Sequence, residues 1–204
     1  MKLYSYIVSH DTGFAPNPFF GYCTLACCKP GIRRTANVGD WIVGLTSKGE
    51  GNKIVYFMRV DEVLGVDDYW NDKRFRQKRP RYDKELRLRC GDNIYDPLPN
   101  GDFRQLRSMH SDGERERPEK KAKDLGGKNV LISETFAYFG SKPLPLPQEL
   151  ESLIVARGHR SHFTDDVKEE VRRLVSQSAL GVHAAPHDWP QDEFSWKGAD
   201  CSRR

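Results

Sequence analysis

Long apolar runs are missing from this chain. The stretches without a polar residue are only a few residues long, and a membrane-spanning helix needs about 20, so membrane spanning is excluded. The N-terminus runs straight into a strand-like pattern, Met1-Lys2-Leu3-Tyr4-Ser5-Tyr6. It lacks the apolar core of roughly 7–15 residues that a secretion signal carries, and a cytoplasmic location is the expectation. Cysteine is sparse and odd in number: five residues, with Cys23, Cys27 and Cys28 crowded together and Cys90 and Cys201 far apart. That is no disulfide framework, and reduced thiols packed as small apolar groups are expected.

Signatures of catalysis are missing as well. A structural zinc site wants four ligands, typically in two pairs, and the histidine nearest to the crowded cysteines is His10. A nucleophilic cysteine needs a positioned base, and no motif supplies one. The pairs His159–His162 and His183–His187 lie outside the metalloprotease arrangement. The glycines at 39, 44, 49 and 51 lack the Gly-Lys-Ser/Thr ending of a phosphate loop, and no dinucleotide, acyl-transfer or kinase signature occurs. No metal, no cofactor and no catalytic residue is therefore expected.

What is present suits one domain. The chain has 204 residues, of which 37% are hydrophobic and 30% charged, enough for one core with little surplus. Strands are expected at 2–9, 41–46, 53–64, 82–90, 129–133 and 136–140, where β-branched and aromatic residues cluster or alternate. Residues 10–37 carry four prolines or glycines before Tyr22 and two more at Pro30-Gly31, which reads as a long ordered loop of the functional kind. Short helices are expected at 67–74 and 148–156. The clearest lies at 164–176, with Thr164 as cap and Val167, Val171, Leu174 and Val175 on one face. Residues 111–128 are charged and poor in apolar side chains, the pattern of a mobile excursion. The expected organisation is a domain over 1–185 and a peripheral tail over 186–204. About six strands with few helices, and no strand–helix–strand repeat, give an α+β fold: a small mixed or antiparallel β-barrel with short flanking helices.

Charge is concentrated. Between Lys73 and Arg89 nine basic residues face two acidic ones, a net +7 over 17 residues. A field of this kind attracts polyanions. Aromatic residues interleave with these cations, as in Tyr69-Trp70 and Phe75 beside Arg74, and such rings can stack on bases or fill a core.

Several motifs together resemble one family. They are Asp11-Thr-Gly-Phe-Ala-Pro-Asn-Pro-Phe19, Cys23-Thr-Leu-Ala-Cys-Cys-Lys-Pro30 with Ile32-Arg33-Arg34, and Gly39-Asp-Trp-Ile-Val-Gly44. Tyr56-Phe-Met-Arg-Val-Asp-Glu62, Tyr69-Trp-Asn-Asp-Lys-Arg-Phe75, Gly91-Asp-Asn-Ile-Tyr95 and Tyr138-Phe-Gly140 extend them. The sequence resembles the nucleotide modification associated domain family of the second type over about residues 1–185. The resemblance implies kinship in fold with the PUA, EVE, ASCH and YTH barrels, which read modified bases. It also implies a place among bacterial or phage nucleotide-modification systems. The function so implied is a non-catalytic nucleic-acid-binding module that recognises a modified base or nucleotide, with DNA favoured over RNA as partner and room for operon partners.

In that reading a pocket lies between the 10–34 loop and the barrel. Ser9, Asp11, Asn17 and Thr24 contact the base edge, and Trp41, Tyr69 or Trp70 stack on its face. Lys29, Arg33, Arg34, Arg74, Lys78 and Arg79 hold phosphates. The rival reading is an enzyme acting on nucleotides or DNA with Asp11, Cys23 or His110 in its site, and a third is a protein–protein adaptor. Nothing in the sequence sets an oligomeric state.

Overall fold

The computed structural model describes residues 1–189. The first half holds β1 (Leu3–Ile7), β2 (Cys23–Leu25), α1 (Pro30–Thr35), β3 (Trp41–Leu45), β4 (Ile54–Arg59), β5 (Glu62–Gly65), α2 (Val66–Asn71) and α3 (Leu86–Arg89). After these come β6 (Tyr95–Pro97), β7 (Phe103–Gln105), α4 (Pro118–Leu125), β8 (Asn129–Ser133), β9 (Phe136–Tyr138), β10 (His159–Arg160), α5 (Asp165–Gln177) and β11 (Gly181–Val182). Short segments of 3-10 helix occupy Lys48–Glu50, Lys73–Lys78 and Gln148–Leu153. Among the described residues no helix is long and apolar enough to cross a membrane.

The α+β class holds, but the sheets do not close into a barrel. A six-stranded sheet has the order β10-β1-β3-β4-β9-β11, a second has β2-β8-β5, and β6 pairs with β7. The large sheet ends at two-residue strands on both edges. β1 runs parallel to β3, with Leu3 opposite Trp41, and β3 runs antiparallel to β4.

Alternation along β1 sends Tyr4 and Tyr6 to one face and Leu3 to the other. The Tyr4 face meets Cys23, Leu25 and Leu131 of the small sheet, and the Leu3 face meets Leu150, Leu153 and Val171 beneath α5. The outer face of the small sheet, Val130 and Ile132, carries a third cluster with Tyr69, Phe75 and Ile94.

The Gly39-to-Gly44 motif belongs to this framework. Gly39 takes φ +89°, which favours glycine. Asp40 then accepts from the amides of Lys2 (2.6 Å) and Asn37 (3.0 Å), tying the start of β1 to the start of β3. Trp41 is buried edge-on against Phe57, so its ring belongs to the core. Gly44 permits close approach: a Cβ there would lie 2.3 Å from the Tyr56 ring.

Several local expectations need correction. The 10–37 loop contains both β2 and α1. The strand expected over 53–64 is two strands in different sheets. The chain turns between them at Asp61, whose carboxylate accepts from the amides of Glu134 and Thr135. The 82–90 segment forms the single turn α3, because alternation over so few residues also suits one helical turn with Leu86 and Leu88 half-exposed. The charged stretch 111–128 contains α4. Its charges find local partners, as in Lys121 with Glu116 (3.2 Å) and the Arg117 amide with Gln105 (2.8 Å). α5 begins one residue later than expected, and Thr164, at its N-cap, does not cap it through the side chain. The tail expected over 186–204 starts against the domain: Trp189 stacks on Phe19 and donates to the Thr12 carbonyl. Residues 190–204, with Cys201, lie outside the described residues.

Candidate active site

After β2 the chain must turn sharply into α1. Cys28 (φ 60°) and Lys29 (φ 39°) both take left-handed backbone, at a cost of roughly 1–2 kcal/mol for a residue with a Cβ. Pro30 then presets the first helical turn. The turn leaves Cys28 half-buried, whereas Cys23, Cys27 and Cys90 are buried.

The Cys28 thiol lies 3.4 Å from His110 Nε2. The other ring nitrogen of His110, Nδ1, lies 2.5 Å from Asp124 Oδ2. Asp124 sits in α4 and is itself fixed: its Oδ2 accepts from the Tyr95 hydroxyl (2.8 Å), and its Oδ1 accepts from the Cys28 amide (2.8 Å). Phe14 packs edge-on against the imidazole with centroids 4.9 Å apart, and Gln105 donates to the His110 carbonyl at 3.1 Å. Arg33 is fully buried behind this group. It donates to the carbonyls of Asp124 (2.9 Å) and Asn129 (2.7 Å), holding α4 against α1 and β8.

Burial pushes the Cys23 thiol up to about 12 and the Cys27 thiol well up, so both stay protonated and inert. Burial also pushes the Asp124 carboxyl up, but the hydrogen bond and charge of His110, with the bonds from Cys28 and Tyr95, outweigh it. The group stays below the usual carboxylate range, a standing anion behind the imidazole. Lys29 is next to the thiol, its ammonium 4.4 Å from the Tyr6 ring centroid and donating to the Ile7 carbonyl at 3.2 Å. Burial lowers its pKa.

Thiol, imidazole and carboxylate in this order form a nucleophile, a base and a group that orients the base. Cys27, His110 and Asp124 also place potential metal-ligand atoms within 4.8 Å of one another. The 2.5 Å between Nδ1 and Oδ2 suits a shared proton, because two ligand atoms on one tetrahedral zinc stand about 3.3 Å apart. The residues fit a catalytic relay better than a metal.

The sequence signature of nucleotide modification associated domain 2 matches residues 1–193. The chain belongs to this family. Among curated proteins and among solved structures, nothing matches it.

In this nucleotide modification associated domain the family-like motif residues fall into three places. Asn17, Thr24, Tyr69 and Lys78 converge in the interior around Asp92. Thr24 Oγ1 and the Tyr69 hydroxyl donate to the Asp92 carboxylate at 2.7 and 2.8 Å. Lys78 donates to Asn17 Oδ1 (2.6 Å) and to the carbonyls of Asn17 and Tyr22. Asn17 spends its amide protons on Gly13 and Cys90 carbonyls. Burial lowers Lys78 to about 8 and raises Asp92.

Ser9 and Asp11 instead line a cleft of about 300 Å³ with His187 and Asp188. Asp11 accepts from the Tyr138 hydroxyl and the His187 amide, and burial raises its carboxyl. The expected cations scatter. Arg74 is bidentate on Glu62 (2.8 and 2.9 Å) and also bonded to Asp72, and Arg79 lies 3.8 Å over the Trp70 ring. Arg33 and Lys78 are buried on carbonyls, while Arg34 is exposed beside a separate cleft of about 800 Å³.

Of the residues in this group, the sequence names only His110, as one of the alternatives Asp11, Cys23 or His110 for an enzyme site. The structure puts Cys28 at the histidine, and Asp124 and Tyr95 behind it. His110 Nε2 stands 3.4 Å from the Cys28 thiol, a contact that no sequence motif marks.

Proposed function

We propose that this member of the family is a thiol-dependent enzyme acting on a nucleotide, with Cys28 as nucleophile, His110 as general base and Asp124 as the positioning carboxylate. The observation that carries the reading is the relay of 3.4 Å from thiol to Nε2 and 2.5 Å from Nδ1 to carboxylate. His110 Nε2 takes the thiol proton. The sulfur adds to an sp2 carbon of the substrate that bears an amine or alkoxide leaving group, so a C–S bond forms. The imidazolium returns the proton to the leaving group as the C–N or C–O bond breaks. His110 then takes a proton from water, the hydroxide adds to the carbon, and the imidazolium returns that proton to the Cys28 sulfur as the C–S bond breaks; the net change is addition of water across the broken bond. The nucleotide as substrate class is supported by the family's association with nucleotide modification.

The test is covalent labelling. Iodoacetamide followed by peptide mass spectrometry is expected to modify Cys28 first in the wild type, and at least tenfold more slowly in His110→Gln. Equal rates in the two proteins, with the fold intact, would sink the relay. So would turnover of a modified nucleotide by Cys28→Ala at the wild-type rate.

A second reading is a non-catalytic module that recognises a modified base, related in fold to the PUA and EVE barrels, with DNA as partner. The basic stretch from Lys73 to Arg89 supports it. In that reading Cys28→Ala binds modified DNA as the wild type does, and no nucleotide is turned over by either protein.

A further inference from the structure

The 800 Å³ cleft includes Gly31, Arg34 and Thr35 of α1 in its lining, and not Cys28 or His110. Lys2, Arg34, His159, His162 and Lys168 line it, with the hydroxyl-bearing Thr35, Ser161 and Thr164 between them. Five side chains that are cationic or can become so therefore face one space, and among the described residues no carboxylate lines it. Arg34 is exposed and spends one bond on the Gly126 carbonyl at 3.2 Å. Lys168 is paired with Asp165 at 2.8 Å, but that carboxylate is 95% exposed and outside the lining. Ion pairs of this kind contribute little and exchange readily for a stronger anion. Thr164 stands at the N-cap of the 13-residue helix α5 with its side chain unused for capping, and Asp165 and Asp166 in the first turn offset the positive end of that helix, so the cleft's charge comes from its side chains.

The cleft is tied to the candidate active site by the chain itself. Gly31 lines it and lies three residues after Cys28; Arg34 and Thr35 follow on the same short helix. Gly31 lets α1 approach β10 closely: a Cβ there would lie 2.8 Å from the His159 ring. A ligand anchored here is thus positioned by the element that begins at the nucleophile turn.

We propose that this cleft binds the phosphates of the ligand, with Arg34, Lys168, Lys2 and His162 as the contacting groups. Clustered cations with interspersed hydroxyls suit the several acceptor oxygens of successive phosphates better than a single carboxylate. The inference rests on the nucleotide half of the proposed function and not on the thiol, so the labelling test of Cys28 and the binding test below fail independently.

The experiment is fluorescence anisotropy with a 5′-labelled single-stranded DNA 12-mer across a salt series, on the full chain. The wild type is expected to bind whether or not iodoacetamide finds Cys28 reactive. The double variant Arg34→Ala/Lys168→Ala is expected to weaken binding at least tenfold and to flatten the log–log salt slope by about 1.4, two phosphate contacts on a single strand. The double variant Arg76→Ala/Arg81→Ala, in the basic stretch away from the cleft, is expected to stay within twofold. Unlabelled deoxynucleoside monophosphate and unlabelled 12-mer serve as competitors. Competition by the mononucleotide at equal phosphate concentration assigns the site to a free nucleotide, and competition by the 12-mer alone assigns it to a backbone; both support a phosphate site. Wild-type binding by the Arg34/Lys168 variant, with unchanged circular dichroism, overturns it. So does a larger loss in the Arg76/Arg81 variant, or the absence of wild-type binding to either probe at low salt.

Discussion

Cys28 and Asp124 stand 96 positions apart, yet one carboxylate serves both ends of the relay. Its Oδ1 accepts the Cys28 amide at 2.8 Å, while its Oδ2 holds His110 Nδ1 at 2.5 Å. The backbone that presents the thiol and the ring that would take its proton are thereby referenced to the same atom pair. Any shift of α4 moves both together, which keeps the thiol-to-imidazole distance nearly constant.

Asp124→Asn tests that coupling. The folded-state pKa of Asp124 is depressed, so its contribution to stability is fully present above about pH 4, the unfolded value, and is lost as pH falls through the lower folded value. The variant is expected to lose about 3 kcal/mol at pH 7, with the gap from wild type closing below pH 4. Urea unfolding at pH 7 and pH 3 measures it. Iodoacetamide labelling of Cys28 in the same variant is expected to slow roughly tenfold, because an amide no longer favours the imidazolium.

Lys78→Met tests the buried network. The substitution takes the ammonium donor from Asn17 Oδ1 and the Tyr22 carbonyl, while the Asn17 carbonyl keeps the Thr24 amide, and it leaves Asp92 without a nearby cation. The expected loss is roughly 3–5 kcal/mol, read as a drop in the denaturant midpoint. The paired change Lys78→Met/Asp92→Asn is expected to recover part of it, since the uncompensated charge goes too. A midpoint in Lys78→Met equal to wild type would show that the ammonium is not needed inside.

Gly44→Ala puts a methyl group 2.3 Å from the Tyr56 ring. Because β3 and β4 are paired at this point, neither backbone can retreat alone. A loss of about 2 kcal/mol is expected, with Tyr56→Leu restoring part of it in the double variant. Thermal unfolding of the four proteins closes the cycle.

Trp41→Ala distinguishes a core ring from a pocket ring. Trp41 is 7% exposed and packs on Phe57, so a stability loss of roughly 3–5 kcal/mol is expected. Labelling of Cys28 and binding of the labelled 12-mer are expected to match wild type at temperatures where the variant is folded. Selective loss of binding would return Trp41 to the ligand.

Periodicity carried most of the framework. Leu3 to Ile7, Trp41 to Leu45 and the α5 face of Val167, Val171, Leu174 and Val175 are legible because each buries one side locally, and local burial repeats at the period of the element. Composition misled where charge was paired inside the fold: the stretch at 111–128 reads as a tether, but it carries Asp124, 1% exposed. Lys78 and Arg33 read as phosphate contacts for the same reason, since a one-letter code shows a charge and not its partner.

Family membership, the absence of long apolar runs and the main strands follow from residue order alone, because local period and motif spacing are properties of neighbours along the chain. The pairing of Cys28 with His110, 82 positions away, and of His110 with Asp124 was decided by tertiary structure. So were the burial of Asn17, Thr24, Tyr69 and Lys78 around Asp92, and the gathering of Lys2, Arg34 and Lys168 at one cleft. Hydrogen bonds and fields act over a few ångströms of space, and only the packing of distant segments brings those groups within that range.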